Sequence, residues 1–202
     1  MTAAGACIAA TALCLALHLY AEARGRPVLR ALTKLAASLG FVGLALALGV
    51  DAPFDRLVLA ALLLSLLGDA LLLSAARPMF LAGLVAFLLA HVAYAVAFLG
   101  EGSIPPWPLP LLALGVGLVL RWLWPHLGPM KGPVVAYCVV IAVMVAAAMG
   151  VASAEVRAGA VLFFLSDLLV ARDRFVAPGL ANRAVGLPLY YGAQLLLASA
   201  VG

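Results

Sequence analysis

GAVLFFLSDLLVAR, residues 159–172, sets an aspartate inside an apolar run: Val161 to Leu165 lead to Ser166 and Asp167, and Leu168, Leu169 and Val170 follow before Arg172. A carboxylate in the middle of a membrane-length segment costs a few kcal/mol to insert, so such a residue marks a functional site by default. The whole chain has that membrane character. Of its 202 residues, 67% are hydrophobic and only 10% charged, with a mean hydropathy of +1.23, well away from soluble domains, where about a quarter of residues are charged. Apolar segments long enough to cross a roughly 30 Å hydrocarbon layer as helices consume nearly all of the length. The sequence therefore predicts one domain, 1–202, with an all-α fold: a polytopic membrane protein built as a bundle of about eight transmembrane helices.

Working outward from residues 159–172, spans are expected over 4–22, 28–49, 56–76, 79–99, 107–124, 133–152, 154–172 and 180–201, separated by Pro, Gly and charged punctuation such as Arg24-Gly25-Arg26-Pro27 and Asp51-Ala52-Pro53. The runs are continuous rather than alternating, which favours helices over a barrel. No basic region precedes the first apolar run, and further spans follow it, which argues against a cleaved signal peptide. Cys7, Cys14 and Cys138 lie within apolar segments without metal-ligand spacing and read as small buried hydrophobes. The formal net charge of +4 records topology rather than a nucleic-acid partner. The odd-numbered connections carry Arg24, Arg26, Arg30, Arg77, Arg121, Lys131, Arg172, Arg174 and Arg183, the even-numbered ones only Arg56 and Arg157. The positive-inside rule puts the odd connections in the cytoplasm and both termini outside, with the bacterial inner membrane as the expected location. Trp107, Trp122 and Trp124 fall near span ends, as an interfacial belt requires.

A short internal echo joins the third and seventh spans. Gly68-Asp69 and Ser166-Asp167 are each followed by an apolar stretch and then an arginine. At 1.5 Å per residue, both carboxylates are expected roughly 8–12 Å inside the cytoplasmic boundary. By the same ruler Lys34 lies about 6 Å in, Tyr190 about 10 Å, Gln194 about 16 Å and His91 about 20 Å. Phe80, Gly83, Phe87, His91, Tyr94 and Phe98 recur at helical spacing and share one face of the fourth span. Arg183, Tyr190 or Tyr191, and Gln194 share a stripe on the last. Lipid cannot satisfy such groups, so these faces point inward. Ser38, Ser65 and Ser166 read as helix-packing hydroxyls rather than nucleophiles, and His18 and His126 as background.

Two carboxylates in low dielectric repel, so one tends to hold a proton while the other stays charged, which provides an acid and a base. A surrounding apolar cavity suits a lipid, with Lys34 and Arg183 placed to hold an anionic phosphate and the aspartates one step deeper, near the first linkage of the chain. Three scattered histidines do not supply a zinc ligand set, and a P-loop, a nucleophile elbow and a dinucleotide fingerprint are all absent. No metal or cofactor is expected. The alternative is a proton-coupled small-molecule transporter or channel that uses the same aspartates.

Lys34 in the second span, Gly68-Asp69 in the third, the Phe80, Gly83, Phe87, His91, Tyr94 series in the fourth, Phe164, Ser166 and Asp167 in the seventh, and Arg183, Tyr190, Tyr191 and Gln194 in the last together resemble the YhhN-like family of membrane proteins. The resemblance runs from about residue 30 to 197; Leu35 departs from the proline expected after the lysine. It implies an eight-span lysoplasmalogenase that hydrolyses the vinyl ether bond of lysoplasmalogens to a fatty aldehyde and a glycerophospho-ethanolamine or -choline. It also implies Asp69 and Asp167 as catalytic residues, and Lys34, His91, Tyr94, Ser166, Arg183, Tyr190, Tyr191 and Gln194 as the substrate-binding set. The expected partners are a lysophospholipid substrate and the membrane lipids.

Overall fold

Punctuation in the sequence starts each helix where a cap is available. The computed structural model describes residues 2–74 and 76–202, and these form α1 (Ala3–Ala23), α2 (Pro27–Leu48), α3 (Pro53–Leu71), α4 (Arg77–Glu101), α5 (Leu109–Leu123), α6 (Lys131–Ala148), α7 (Ala154–Ala171) and α8 (Leu180–Ser199). The Thr2 hydroxyl caps α1 by accepting from the Gly5 N–H at 3.2 Å, and proline stands in the first turn of α2, α3, α4 and α5, where its missing N–H is no loss. Ser153 accepts from the Val156 N–H at 3.1 Å, which separates α6 from α7 across the boundary that the sequence leaves narrowest.

The third helix departs from the expected 56–76. Asp55 reaches back to accept from the Asp51 and Ala52 N–H groups at 3.2 and 2.8 Å, a capping arrangement that starts the helix at Pro53, and it ends at Leu71. Asp69 therefore sits in the last turn of α3 rather than eight residues inside it.

Neighbours in sequence pack as pairs: α1 with α2, α3 with α4, and α7 with α8, tied by α4 against α6 and by α2 against α3 and α8. The closest approaches use glycine. A Cβ on Gly68 would stand 2.6 Å from the Phe87 ring and one on Gly159 would stand 2.7 Å from Leu197, so small residues set the α3–α4 and α7–α8 spacing. The core holds Phe41, Leu62, Tyr94, Phe98, Phe163, Tyr191 and Leu197. Leu32, Leu39 and Leu46 on α2 and Leu111, Leu114 and Leu118 on α5 are exposed, the outward apolar surface that a lipid environment covers.

Among the described residues, five segments are long and apolar enough to cross a membrane: α1, α2, α4, and the stretches Leu109–His126 and Gly128–Ala148 that contain α5 and α6. The other three helices, α3, α7 and α8, are those that carry Asp69, Asp167 and the Arg183-to-Gln194 series. α3 and α7 remain apolar but carry three charged residues each, Asp55, Arg56 and Asp69 and Glu155, Arg157 and Asp167, whereas α8 is interrupted by Asn182, Arg183, Pro188 and Gln194.

Candidate functional site

Asp69 is held by three side chains from two helices. Its Oδ1 pairs with the Lys34 ammonium of α2 at 3.1 Å, and its Oδ2 accepts from the Ser38 hydroxyl, one turn further along α2, at 2.7 Å and from the Tyr190 hydroxyl of α8 at 2.7 Å. The Tyr191 hydroxyl lies 3.2 Å from both the Ser38 hydroxyl and the Lys34 carbonyl. Both ends of the pair are well shielded, with the Lys34 and Asp69 side chains 13% and 2% exposed. A buried carboxylate with a cation and two hydroxyl donors is stabilised as the anion.

Asp167 has a different setting. It accepts from the Tyr137 hydroxyl of α6 at 2.8 Å, and its other polar neighbour is His91 of α4, whose Nε2 lies 3.4 Å from the same Oδ2. His91 Nδ1 stands 2.6 Å from the Phe87 carbonyl; a carbonyl only accepts, so the assigned tautomer carries its hydrogen on Nδ1. Nε2 is then a bare lone pair, buried and without a hydrogen-bond partner. Two acceptors facing each other at this distance repel unless a proton lies between them, so the His91–Asp167 pair accommodates one more proton.

A chain of aromatic rings runs from His91, beside Asp167, to Tyr190, beside Asp69. Phe163 packs on His91 at 4.4 Å between centroids, Tyr190 on Phe163 at 5.5 Å, and Phe87 on Tyr190 at 5.9 Å. Behind it, the Tyr94 hydroxyl donates to Gln194 Oε1 at 2.7 Å.

Asp69 and Asp167 nevertheless line one cavity of about 480 Å³, within the size range of small-ligand pockets. Its walls divide by chemistry. Val116, Val119, Val134, Ile141 and Phe164 form an apolar side next to Asp167, while Glu22, Arg30, Asp173, Asn182 and Arg183 form a charged mouth on the Asp69 side. At the mouth, Arg183 donates to Glu22 Oε2 at 2.9 Å and to Asp173 Oδ2 at 3.2 Å, and Arg30 reaches Glu22 Oε1 at 3.4 Å. Asp173 belongs to a π-helical turn, Arg172–Val176, that extends α7. Burial by itself would raise its pKa, but the Gly179 N–H, the Asn182 amide and the Arg183 guanidinium outweigh it and hold the carboxyl below its ordinary value. Arg172 also donates to the Asn182 side-chain oxygen.

Of the residues singled out from sequence, Lys34, Asp69, Ser166, Asp167, Arg183 and Tyr190 line the cavity, whereas His91, Tyr94, Tyr191 and Gln194 stand behind its wall. Lys34 is committed to Asp69 rather than free at the rim, and the Ser166 hydroxyl donates to the Phe163 carbonyl at 2.8 Å. Ser38 and His18, set aside in the sequence, take part after all: Ser38 holds Asp69, and His18 lines the cavity with Nδ1 2.9 Å from the Arg30 carbonyl. Tyr137, Glu22, Asp173 and Asn182 are the residues that sequence reasoning misses. Tyr137 gives one signal, a hydroxyl in an otherwise apolar sixth span; Glu22, an acid facing three arginines across one short connection, gives another. Among the described residues, no group of three or more His, Cys, Asp or Glu side chains could hold a metal ion.

Sequence comparison bears on this arrangement. The YhhN family model matches residues 29–201. The chain is 36% identical over 145 residues to lysoplasmalogenase TMEM86B of Homo sapiens, covering 71% of this chain and 62% of that protein. It is 34% identical over 161 residues to a lysoplasmalogenase of Mycobacterium bovis, covering 70% and 59%, and 32% identical over 151 residues to the uncharacterized membrane protein YhhN of Escherichia coli, covering 70% and 72%. The chain thus spans about three fifths of the length of the two lysoplasmalogenases. No solved structure matches it.

Proposed function

The chain belongs to the YhhN family, and on that premise we propose that it is a lysoplasmalogenase, hydrolysing the vinyl ether of a lysophospholipid to a free aldehyde and a glycerophospho-alcohol. The supporting observation is that two carboxylates of opposite character line one cavity where a charged mouth meets an apolar wall. A single-chain lipid fits that division, with its hydrocarbon against Val116, Val119 and Ile141 and its phosphate toward Arg183.

Vinyl ether hydrolysis begins with proton transfer to the carbon beta to oxygen. The double bond's electron pair forms the new C–H bond, and positive charge develops on the carbon attached to oxygen. Water adds there and loses a proton, and the hemiacetal releases the alcohol and the aldehyde. Asp167, on the apolar side and sharing a proton with His91, is the acid; Tyr137 orients its carboxyl. Asp69, kept anionic by Lys34, stabilises the oxocarbenium ion or takes the proton from water, a division of labour like that of paired carboxylates in glycoside hydrolysis. His91 is a positioning residue, because it lies behind the wall.

A transport path has less support. The cavity lining on α4 and α8 stops at Phe87 and Tyr190, and beyond them Tyr94, Phe98 and Leu197 are fully buried, as in a pocket entered from one end. The arginine-rich connections at that end support a mouth facing the cytoplasm.

The test is to incubate purified protein with a lysoplasmalogen and with its saturated-ether analogue and to assay free aldehyde. Aldehyde from the vinyl ether alone is expected. None from the vinyl ether would remove the proposed activity.

A further inference from the structure

The charged mouth contains more than phosphate binding requires. A site that only held an anion would gather cations, yet Glu22 and Asp173 alternate with Arg30 and Arg183, and all four line the cavity. From this alternation we infer that the mouth is a headgroup cradle for a zwitterionic lysophospholipid and prefers a primary ammonium, as in ethanolamine, to a trimethylammonium, as in choline. The inference rests on the lipid-substrate proposal above and extends it to the headgroup.

Charge matching excludes other headgroups first. With the chain against the apolar wall, the phosphate and its substituent must lie at the rim. The phosphate takes donors from Arg183, now shared between Glu22 at 2.9 Å and Asp173 at 3.2 Å, and from Arg30, whose Nε is buried without a partner and is a spare donor. Moving the guanidinium of Arg183 onto phosphate leaves Glu22 and Asp173 short of a cation. A headgroup ammonium replaces it, so one set of ion pairs is exchanged for another. A headgroup without a cation would leave Glu22 with Arg30 alone and Asp173 with only the Gly179 and Asn182 N–H donors, a poorer match than the ammonium provides.

Hydrogen bonding then separates the two zwitterions. A primary ammonium offers three N–H donors to the carboxylate oxygens. A trimethylammonium offers none and is recognised chiefly by open aromatic faces. Of the lining rings at this end of the bundle, Phe80 has the Arg174 guanidinium 3.9 Å from its centroid and Phe175 packs against the Leu123, Leu127 and Val134 cluster; outside the cavity, Arg24 and Arg26 lie 5.5 and 5.8 Å from the Tyr20 ring and the Lys131 ammonium 4.6 Å from Trp124.

The experiment measures binding of saturated lysophosphatidylethanolamine and lysophosphatidylcholine, matched in acyl chain, to the full-length protein in nanodiscs. Loss of one charge-assisted hydrogen bond predicts a preference for the ethanolamine lipid of about tenfold in Kd. Glu22→Gln and Asp173→Asn should each bring the ratio toward one, and because the ratio compares two ligands on one protein it tolerates a partial loss of folded material. Equal or choline-favouring binding by the wild type overturns the inference, as does a ratio unchanged in both variants. A parallel aldehyde assay separates the two claims: a binding preference without aldehyde release removes the lysoplasmalogenase activity alone, and aldehyde release without a preference removes the cradle alone.

Discussion

Asp69 is met by the Lys34 ammonium at 3.1 Å and by two hydroxyls at 2.7 Å, whereas Asp167 is met by one hydroxyl at 2.8 Å and by an imidazole nitrogen at 3.4 Å with no hydrogen of its own. The two residues occupy matching places in α3 and α7, each next to a small residue near the same end of the bundle. Their neighbours divide them. Two helices, α2 and α8, bring Asp69 a full set of donors, while Asp167 has its cationic partner replaced by a group that can share a proton. In the proposed mechanism a pair of like residues divides into an acid and an anion through what packs around them, not through any difference in their own chemistry.

The sharpest way to break that contrast is to neutralise each carboxylate in turn. Asp167→Asn should lower aldehyde release by roughly 10²- to 10⁴-fold, the usual range for a general acid, with thermal stability close to the wild type. Asp69→Asn should lose turnover to a similar degree and also lose about 3 kcal/mol of stability, because Lys34 is left as an unpaired shielded charge. Steady-state kinetics and thermal unfolding in the same detergent provide the check. Equal stability losses in the two variants would abolish the distinction drawn here.

A milder probe tests the Asp167 side alone. Tyr137→Phe removes the one hydroxyl that orients this carboxyl and should reduce kcat by about tenfold with little change in KM. It should also move the pH dependence of kcat, which a packing role would leave in place. An unchanged kcat would remove Tyr137 from the site.

The smallest effect is expected at the mouth. Asp173 titrates below its ordinary value in the folded protein, so its contribution is fully present above the unfolded-state value of about 3.9 and is lost as the pH falls through the folded value. The Tm difference between wild type and Asp173→Asn should therefore be small and positive near neutrality and shrink below about pH 4, smallness being expected of a partly exposed ion pair. A difference that grows on acidification would contradict the described hold on the α7–α8 connection.

Much of the architecture is legible in the residues. The eight helices, their order and most of their ends follow from apolar run length and from Pro, Gly and Ser at the boundaries. The exception is informative: α3 starts early because the Asp55 side chain caps it, a choice that hydropathy does not register. The candidate site was legible only as a set of types and depths. Lys34 looks available for phosphate in the sequence and is paired with Asp69 in the fold; Tyr137 draws no notice as one hydroxyl among apolar residues and becomes the partner of Asp167.

What the chain alone determined is membrane insertion in helices and the inward aim of its few polar groups, because transfer free energy accumulates residue by residue and needs no knowledge of neighbours. Only the tertiary structure decided who meets whom. Tyr190 reaches Asp69 across 121 positions and Arg183 reaches Glu22 across 161, contacts set by how helices rotate and cross. Protonation, charge pairing and the shape of the mouth depend on distances of a few ångströms between side chains that the sequence holds far apart.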